Sequence, residues 1–313
     1  MDVILDFIIV LLSVIMLWKG ADWLVDSAAE IAHTLRVSDL IIGLTVVAFG
    51  TSAPEFAVTI SAAITKQSDI SIGNVIGSNI FNLGFILGGT AIIRPISTNK
   101  KMFDRDGLFL LIVTALIFFL FFGFNGWTPD DHFTRLEGLL LFSLLISYVF
   151  FLFIKKDPPE EINPSKATLL SYVFFFIGLI SIVLGGHFMV THASNIARFY
   201  GISDWVIAVT IVAAGTSAPE FATSIAAAIK GRHGIAIGNL IGSDLFNLLG
   251  VLGLAGVINP STITKDIFDS VFVLVLMVGL TLLLIRTKWR ISRIEGAILV
   301  SINLIRWYFD FAN

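Results

Sequence analysis

GTSAPEFA at residues 50–57 returns unchanged at residues 215–222. Each copy sets a proline and then a glutamate, Pro54 with Glu55 and Pro219 with Glu220, inside a long apolar run. A proline in a helix interior has no N–H to give and its ring meets the carbonyl four residues back, so each copy predicts a broken helix. A glutamate within an apolar span is costly and marks a functional site by default. A second segment follows at the same offset: IGNVIGSNIFN at 72–82 recurs as IGNLIGSDLFN at 237–247. The chain is therefore a duplication.

Working outward, 56% of the 313 residues are hydrophobic and 14% are charged, too little polar surface for a soluble globule of this size. The lipid bilayer is the expected surrounding. A net charge of -3, with no extended basic run, argues against a nucleic-acid partner, and the absence of cysteine excludes disulfides and thiolate metal sites. Asp2 and Asp6 stand where a secretory signal would carry basic residues, so the first apolar stretch is expected to remain as a helix.

A membrane-crossing helix needs about 20 mostly apolar residues. Candidate spans lie at 3–26, 39–65, 70–93, 103–123, 135–154, 167–197, 204–229, 235–258, 267–286 and 292–311. Between the fifth and the sixth, KKDPPEEINPSK at 155–166 reads as an exposed seam. The expected organisation is a first repeat over 1–156, a short linker at 157–164 and a second repeat over 165–313. The predicted fold is an all-α integral membrane protein of ten helices, with helices 2 and 7 broken. Five helices per repeat is an odd number, which inverts the second copy relative to the first. Fourteen lysines and arginines fall in the loops of one side and five in those of the other, which places the linker in the cytoplasm and both termini outside a cell membrane. Trp127, Trp205, Trp289 and Trp307, near helix ends, read as interfacial anchors.

The donors in the duplicated segments are all oxygens. They comprise Glu55 and Glu220, the hydroxyls of Thr51, Ser52, Ser78, Thr216, Ser217 and Ser243, the amides of Asn82 and Asn247, and carbonyls loosened by the prolines near Ala48, Gly50, Thr51, Ala213, Gly215 and Thr216. Those carbonyls lie at the negative end of a half-helix, where a cation is favoured. Neither signature helix offers a lysine or arginine as counter-charge at that depth. Oxygen-only donors suit Ca2+ and the similarly sized Na+ better than zinc or copper.

The paired GTSAPE and GNxIGSxxFN segments resemble the alpha repeats of the sodium/calcium exchanger branch of the cation/calcium exchanger superfamily. The resemblance implies a secondary active antiporter exchanging Na+ for Ca2+ by alternating access, not an enzyme, with no catalytic residues, no resident cofactor and no obligate protein partner. By motif position it makes Glu55 and Glu220 the shared calcium carboxylates and the Thr51 and Thr216 carbonyls further calcium ligands. Ala48, Ser52 and Ser78, with Ala213, Ser217 and Ser243, become flanking sodium sites, and Asn82 and Asn247 line the middle. One Ca2+ balances two ionised glutamates whereas three Na+ leave a positive site, so the implied exchange is electrogenic. The linker is too short for a calcium-sensing domain. Asn247 stands where several relatives carry aspartate, which makes potassium dependence less expected, and Asp244 replaces the Asn79 of the first repeat.

Plainer readings stand beside these. The glycines Gly73, Gly77, Gly238 and Gly242 read first as close helix contacts, and Asn74 and Asn239 as interhelical hydrogen-bond partners. His187 and His192 could carry protons, but their repeat equivalents, Asp22 and Ser27, do not. A Ca2+/H+ antiporter of the same fold is the near alternative, disfavoured by threonine at 51 and 216. An intramembrane serine protease using Ser52 or Ser217 is the remote one, and it gives no reason to duplicate a nucleophile.

Overall fold

Helix α1 (Val3–Leu35) runs well past the expected end near residue 26. Asp22, Asp26 and Glu30 recur at every fourth position and so share one helix face. Lys230 Nζ meets Asp22 Oδ1 at 3.1 Å and Asp26 Oδ2 at 2.8 Å, and the Ser171 hydroxyl donates to Glu30. Charges that signal a helix end in sequence are thus paired on a helix that continues. The computed structural model describes residues 3–123, 128, 132–155, 166–202 and 213–312. The linker at 157–164, Trp127 and Trp205 lie outside the described residues.

The remaining helices are α2 (Asp39–Thr51), α3 (Ala53–Ile64), α4 (Ser68–Ile93), α5 (Lys100–Phe122), α6 (Arg135–Lys155) and α7 (Leu169–Phe199), then α8 (Ala213–Thr216), α9 (Ala218–Ile229), α10 (His233–Ile258), α11 (Lys265–Lys288) and α12 (Arg293–Ala312). Among the described residues the regular structure is helical except for two antiparallel ribbons. Strand β1 (Ile96–Ser97) pairs with β4 (Arg290–Ile291) and β2 (His132–Phe133) with β3 (Ser261–Thr262), registering Ile96 with Ile291 and Phe133 with Ser261.

Among the described residues, seven helices are long and apolar enough to cross a membrane, and the bent pair α2–α3 makes an eighth. The chain is a multi-pass membrane protein. Two of the ten expected spans are not among these. The stretch at 204–229 begins outside the described residues, and α12 carries Arg293, Glu295, Arg306 and Asp310.

Packing divides the chain into two compact units, Met1–Pro54 with Lys156–Asn239, and Glu55–Lys155 with Leu240–Asn313. In the first, α1 and α7 touch backbone to backbone. A Cβ at Gly20 would lie 2.9 Å from the Gly178 carbonyl, and one at Gly178 would lie 2.7 Å from that of Gly20. Small residues permit this approach, and in lipid close packing supplies the attraction that hydrophobicity cannot. Gly238 of α10 meets α2 in the same way, since a Cβ there would lie 2.7 Å from the Leu40 carbonyl, which is the packing role expected of it. No described atom lies within 4 Å of a Cβ at Gly73 or Gly77.

In the second unit the same device recurs between α4 and α12, where Cβ atoms at Gly88 and Gly296 would each meet the other's carbonyl at 2.8 and 2.5 Å. Between α6 and α10, Cβ atoms at Gly138 and Gly253 would each meet the other's carbonyl, at 2.6 and 2.9 Å. Trp289 caps α11 in a left-handed conformation with its ring edge-on to Phe103, and Trp307 stacks on Phe81.

Candidate cation site

Helix α2 ends at Thr51, Ser52 takes φ -78 and ψ 11, and α3 begins at Ala53. The two segments meet at a bend of 51°. The second copy breaks at the same place: α8 ends at Thr216, Ser217 takes φ -90 and ψ 11, and α9 begins at Ala218. Each proline thereby falls in the first turn of the new helix, where its missing N–H leaves no gap because that N–H would have no partner within the helix. The carbonyl that loses its donor four residues on is that of Gly50 and, in the second copy, Gly215. The Ala48 carbonyl accepts the Ser52 N–H at 3.1 Å.

The first unit holds Ala48, Thr51, Ser52, Ala213, Thr216, Ser217 and Glu220. Thr51, Ser52 and Ser217 are buried, as is Glu220, whose Oε1 accepts the Ser52 hydroxyl at 3.0 Å. A hydroxyl of the first repeat thus reaches the acid of the second. Asn239 ties the same groups from α10. Its Nδ2 donates to the Ser224 hydroxyl at 3.1 Å and to the Glu220 carbonyl at 3.4 Å, while its Oδ1 accepts from the Thr51 hydroxyl at 3.0 Å. That hydroxyl also lies 3.2 Å from the Ala48 carbonyl.

The second unit holds Glu55, Ser78, Asn82, Ser243 and Asn247. Glu55 is 1% exposed. Asn74 repeats the clasp of Asn239, donating to the Thr59 hydroxyl at 2.9 Å and to the Glu55 carbonyl at 3.3 Å. Asn82 Nδ2 donates to Asp244 Oδ1 at 3.0 Å, and Asn247 Nδ2 to Asn79 Oδ1 at 3.2 Å. Asn82 begins the widened helical turn Asn82–Leu87 and Asn247 lies within the widened turn Phe246–Val251, turns of the kind frequent at functional sites.

Arg232, Arg105 and His192 are engaged with other acids. Arg232 meets Asp39 at 3.3 Å, and Arg105 grips the buried Asp106 through Nε and Nη2 at 2.7 and 2.9 Å while Tyr148 donates to that acid at 2.8 Å. His192 Nδ1 lies 2.6 Å from Asp6 Oδ1, which Asn195 also approaches at 3.2 Å. No group of three His, Asp or Glu side chains gathers as a metal cage among the described residues. Chemically, the two clusters offer buried oxygens of carboxylate, hydroxyl and amide type. The hydroxyl of Ser52 is committed to a carboxylate, whereas a serine nucleophile needs a base such as imidazole.

Several participants were not singled out in sequence. Thr59 and Ser224 occupy equivalent repeat positions, and their shared hydroxyl was a visible signal. Nothing in one sequence announces which carbonyl an asparagine clasps.

The chain is similar to known proteins along nearly its whole length. The sodium/calcium exchanger MaX1 of Methanosarcina acetivorans is 35% identical, covering 94% of this chain and 95% of that protein. The inner membrane protein YrbG of Escherichia coli is 29% identical over 96% of this chain and 94% of its own. A solved structure of the sodium-calcium exchanger NCX_Mj superposes with a TM-score of 0.85 at 34% identity, covering 97% of this chain and 98% of that one. The profile of the sodium/calcium exchanger protein family matches residues 5–154 and 170–310. With its twin broken helices and buried acids, the chain belongs to the sodium/calcium exchanger protein family, a family of transporters and not of enzymes.

Proposed function

We propose that this protein is a secondary active antiporter that exchanges Na+ for Ca2+ across the cell membrane by alternating access. The observation that carries the reading is the pair of single-residue helix breaks at Ser52 and Ser217, each followed by a buried glutamate. Glu55 and Glu220 are the calcium carboxylates, joined by the carbonyls of Thr51 and Thr216. Ser52 and Ser78, Ser217 and Ser243, with the carbonyls of Ala48 and Ala213, serve sodium, and Asn82 and Asn247 line the middle. The names of MaX1 and NCX_Mj as sodium/calcium exchangers support these two ions.

The fold proposed with this function has ten helices in two inverted five-helix repeats, with both termini outside and residues 157–164 in the cytoplasm. Exchange of one divalent ion for three monovalent ions at two carboxylates moves net charge.

The test is Na+-gradient-driven uptake of radiolabelled Ca2+ into proteoliposomes, comparing the parent with Glu55→Gln and Glu220→Gln. Uptake is expected in the parent and lost in both variants. Retained exchange in the variants overturns the site, and uptake driven by a pH gradient instead of Na+ makes the protein a Ca2+/H+ antiporter. Ca2+ flux indifferent to membrane potential refutes the electrogenic step.

A further inference from the structure

Asp244 breaks the symmetry of the repeat, since the first copy carries Asn79 at that position. In the structure it heads a chain of amides within the second unit. Asn82 Nδ2 donates to Asp244 Oδ1 at 3.0 Å, Asn79 Nδ2 donates to the Asp244 backbone carbonyl at 3.0 Å, and Asn247 Nδ2 donates to Asn79 Oδ1 at 3.2 Å. All four side chains are at most 1% exposed.

A primary amide can turn either end to a neighbour, oxygen or NH2, and only its partners decide which. Asp244 supplies two oxygens that accept. Its Oδ1 draws the NH2 of Asn82, and its backbone carbonyl draws the NH2 of Asn79. Asn79 then has only oxygen left for Asn247, which must answer with its own NH2. Each end of the chain therefore finishes in an oxygen. Asn82 Oδ1 and Asn247 Oδ1 are buried with no hydrogen-bond donor among the described residues. Two such oxygens are costly in a dry interior unless something electropositive meets them.

We propose that Asp244 is a positioning residue: its carboxylate draws the NH2 of Asn82 and so turns the Asn82 oxygen toward the transported cation, while the backbone carbonyl at 244, acting through Asn79, orients Asn247 in the same sense whatever the side chain. The proposal rests on the reading that these two asparagines line the cation site. It gives the repeat-breaking acid a role that a symmetric asparagine fills poorly. An amide at 244 can offer NH2 to Asn82, and Asn82 then reverses and presents its own NH2 to the ion.

The test is a double-mutant cycle in proteoliposomes, reading the KM for Ca2+ alongside the maximal rate. Asp244→Asn is expected to raise the KM about fivefold, the worth of one hydrogen bond, with the maximal rate changing less. On an Asn82→Ala background the same substitution is expected to change nothing further, because the amide it acts through is gone. An undiminished effect of Asp244→Asn on that background means the acid acts through its charge, and the proposal falls. A wild-type KM in Asp244→Asn also overturns it. A wild-type KM in Asn82→Ala removes the site reading at Asn82 instead, and the proposal with it. Where Asp244→Asn does not fold, Asp244→Ala, which removes the acceptor for the Asn82 NH2, takes its place in the same cycle with the same expected and overturning outcomes.

Discussion

The Ser52 hydroxyl donates to Glu220 Oε1 at 3.0 Å, joining the break in one repeat to the acid of the other. A serine held on a carboxylate is placed to exchange that bond for shared contact with a cation. Ser52→Ala is expected to raise the Na+ concentration for half-maximal Ca2+ exchange about tenfold, the lower end of the worth of one hydrogen bond to a charged group. Exchange assayed across a Na+ series checks it, and an unchanged midpoint denies Ser52 a part in sodium binding.

Asn239 is fully buried and meets Thr51, Ser224 and Glu220, whereas Asn74 is partly exposed and donates to Thr59 and Glu55. Truncation at 239 strands more buried polar groups than truncation at 74. Asn239→Ala is expected to cost about 2–4 kcal/mol and Asn74→Ala about half of that. Thermal unfolding in detergent ranks the two, and equal losses contradict the network.

Arg105 and Asp106 form a pair in which the acid is 0% exposed on its side chain. Removing one partner of a buried pair leaves an uncompensated charge, so Arg105→Ala is expected to destabilise by about 3 kcal/mol. Tyr148→Phe, which deletes one hydrogen bond to the same acid, is expected to cost about 1 kcal/mol. Denaturant or thermal unfolding of the two variants tests the order.

Gly178→Val drives a Cβ into backbone atoms of Gly20 and Leu24, at 2.7 and 2.8 Å, that cannot yield without parting α1 from α7. Loss of about 3 kcal/mol or of folded protein is expected. Gly279→Ala, where no described atom lies within 4 Å, is expected to stay within about 0.5 kcal/mol. Monodispersity on size exclusion separates them.

The two helix breaks and the two buried acids of the candidate site are legible in sequence because duplication leaves a covalent record. Proline and glutamate recurring together at one offset identify two breaks and two acids without any contact being known. Helix α1 outruns its expected end near residue 26 for the opposite reason, since the partners of Asp22, Asp26 and Glu30, namely Lys230 and Ser171, lie far along the chain. Asn239 and Asp244 share that difficulty. An asparagine's meaning depends on which end a neighbour demands, and the neighbours are 188 residues away for Thr51 and 162 for Asn82.

The widened turns at Asn82–Leu87 and Phe246–Val251 each hold one residue more than an ordinary α-turn, and an extra residue rotates everything beyond it by about 100°. Upstream of the first turn the helix must show Asn79 and Asn82 to Asp244, and downstream it must show Gly88 to Gly296. The turn reconciles two faces that a uniform spiral would misalign. Insertions and deletions between Asn82 and Gly88, or between Phe246 and Gly253, therefore act as frameshifts in space: a single-residue change leaves every local preference intact and swings the far half of the helix off its neighbour.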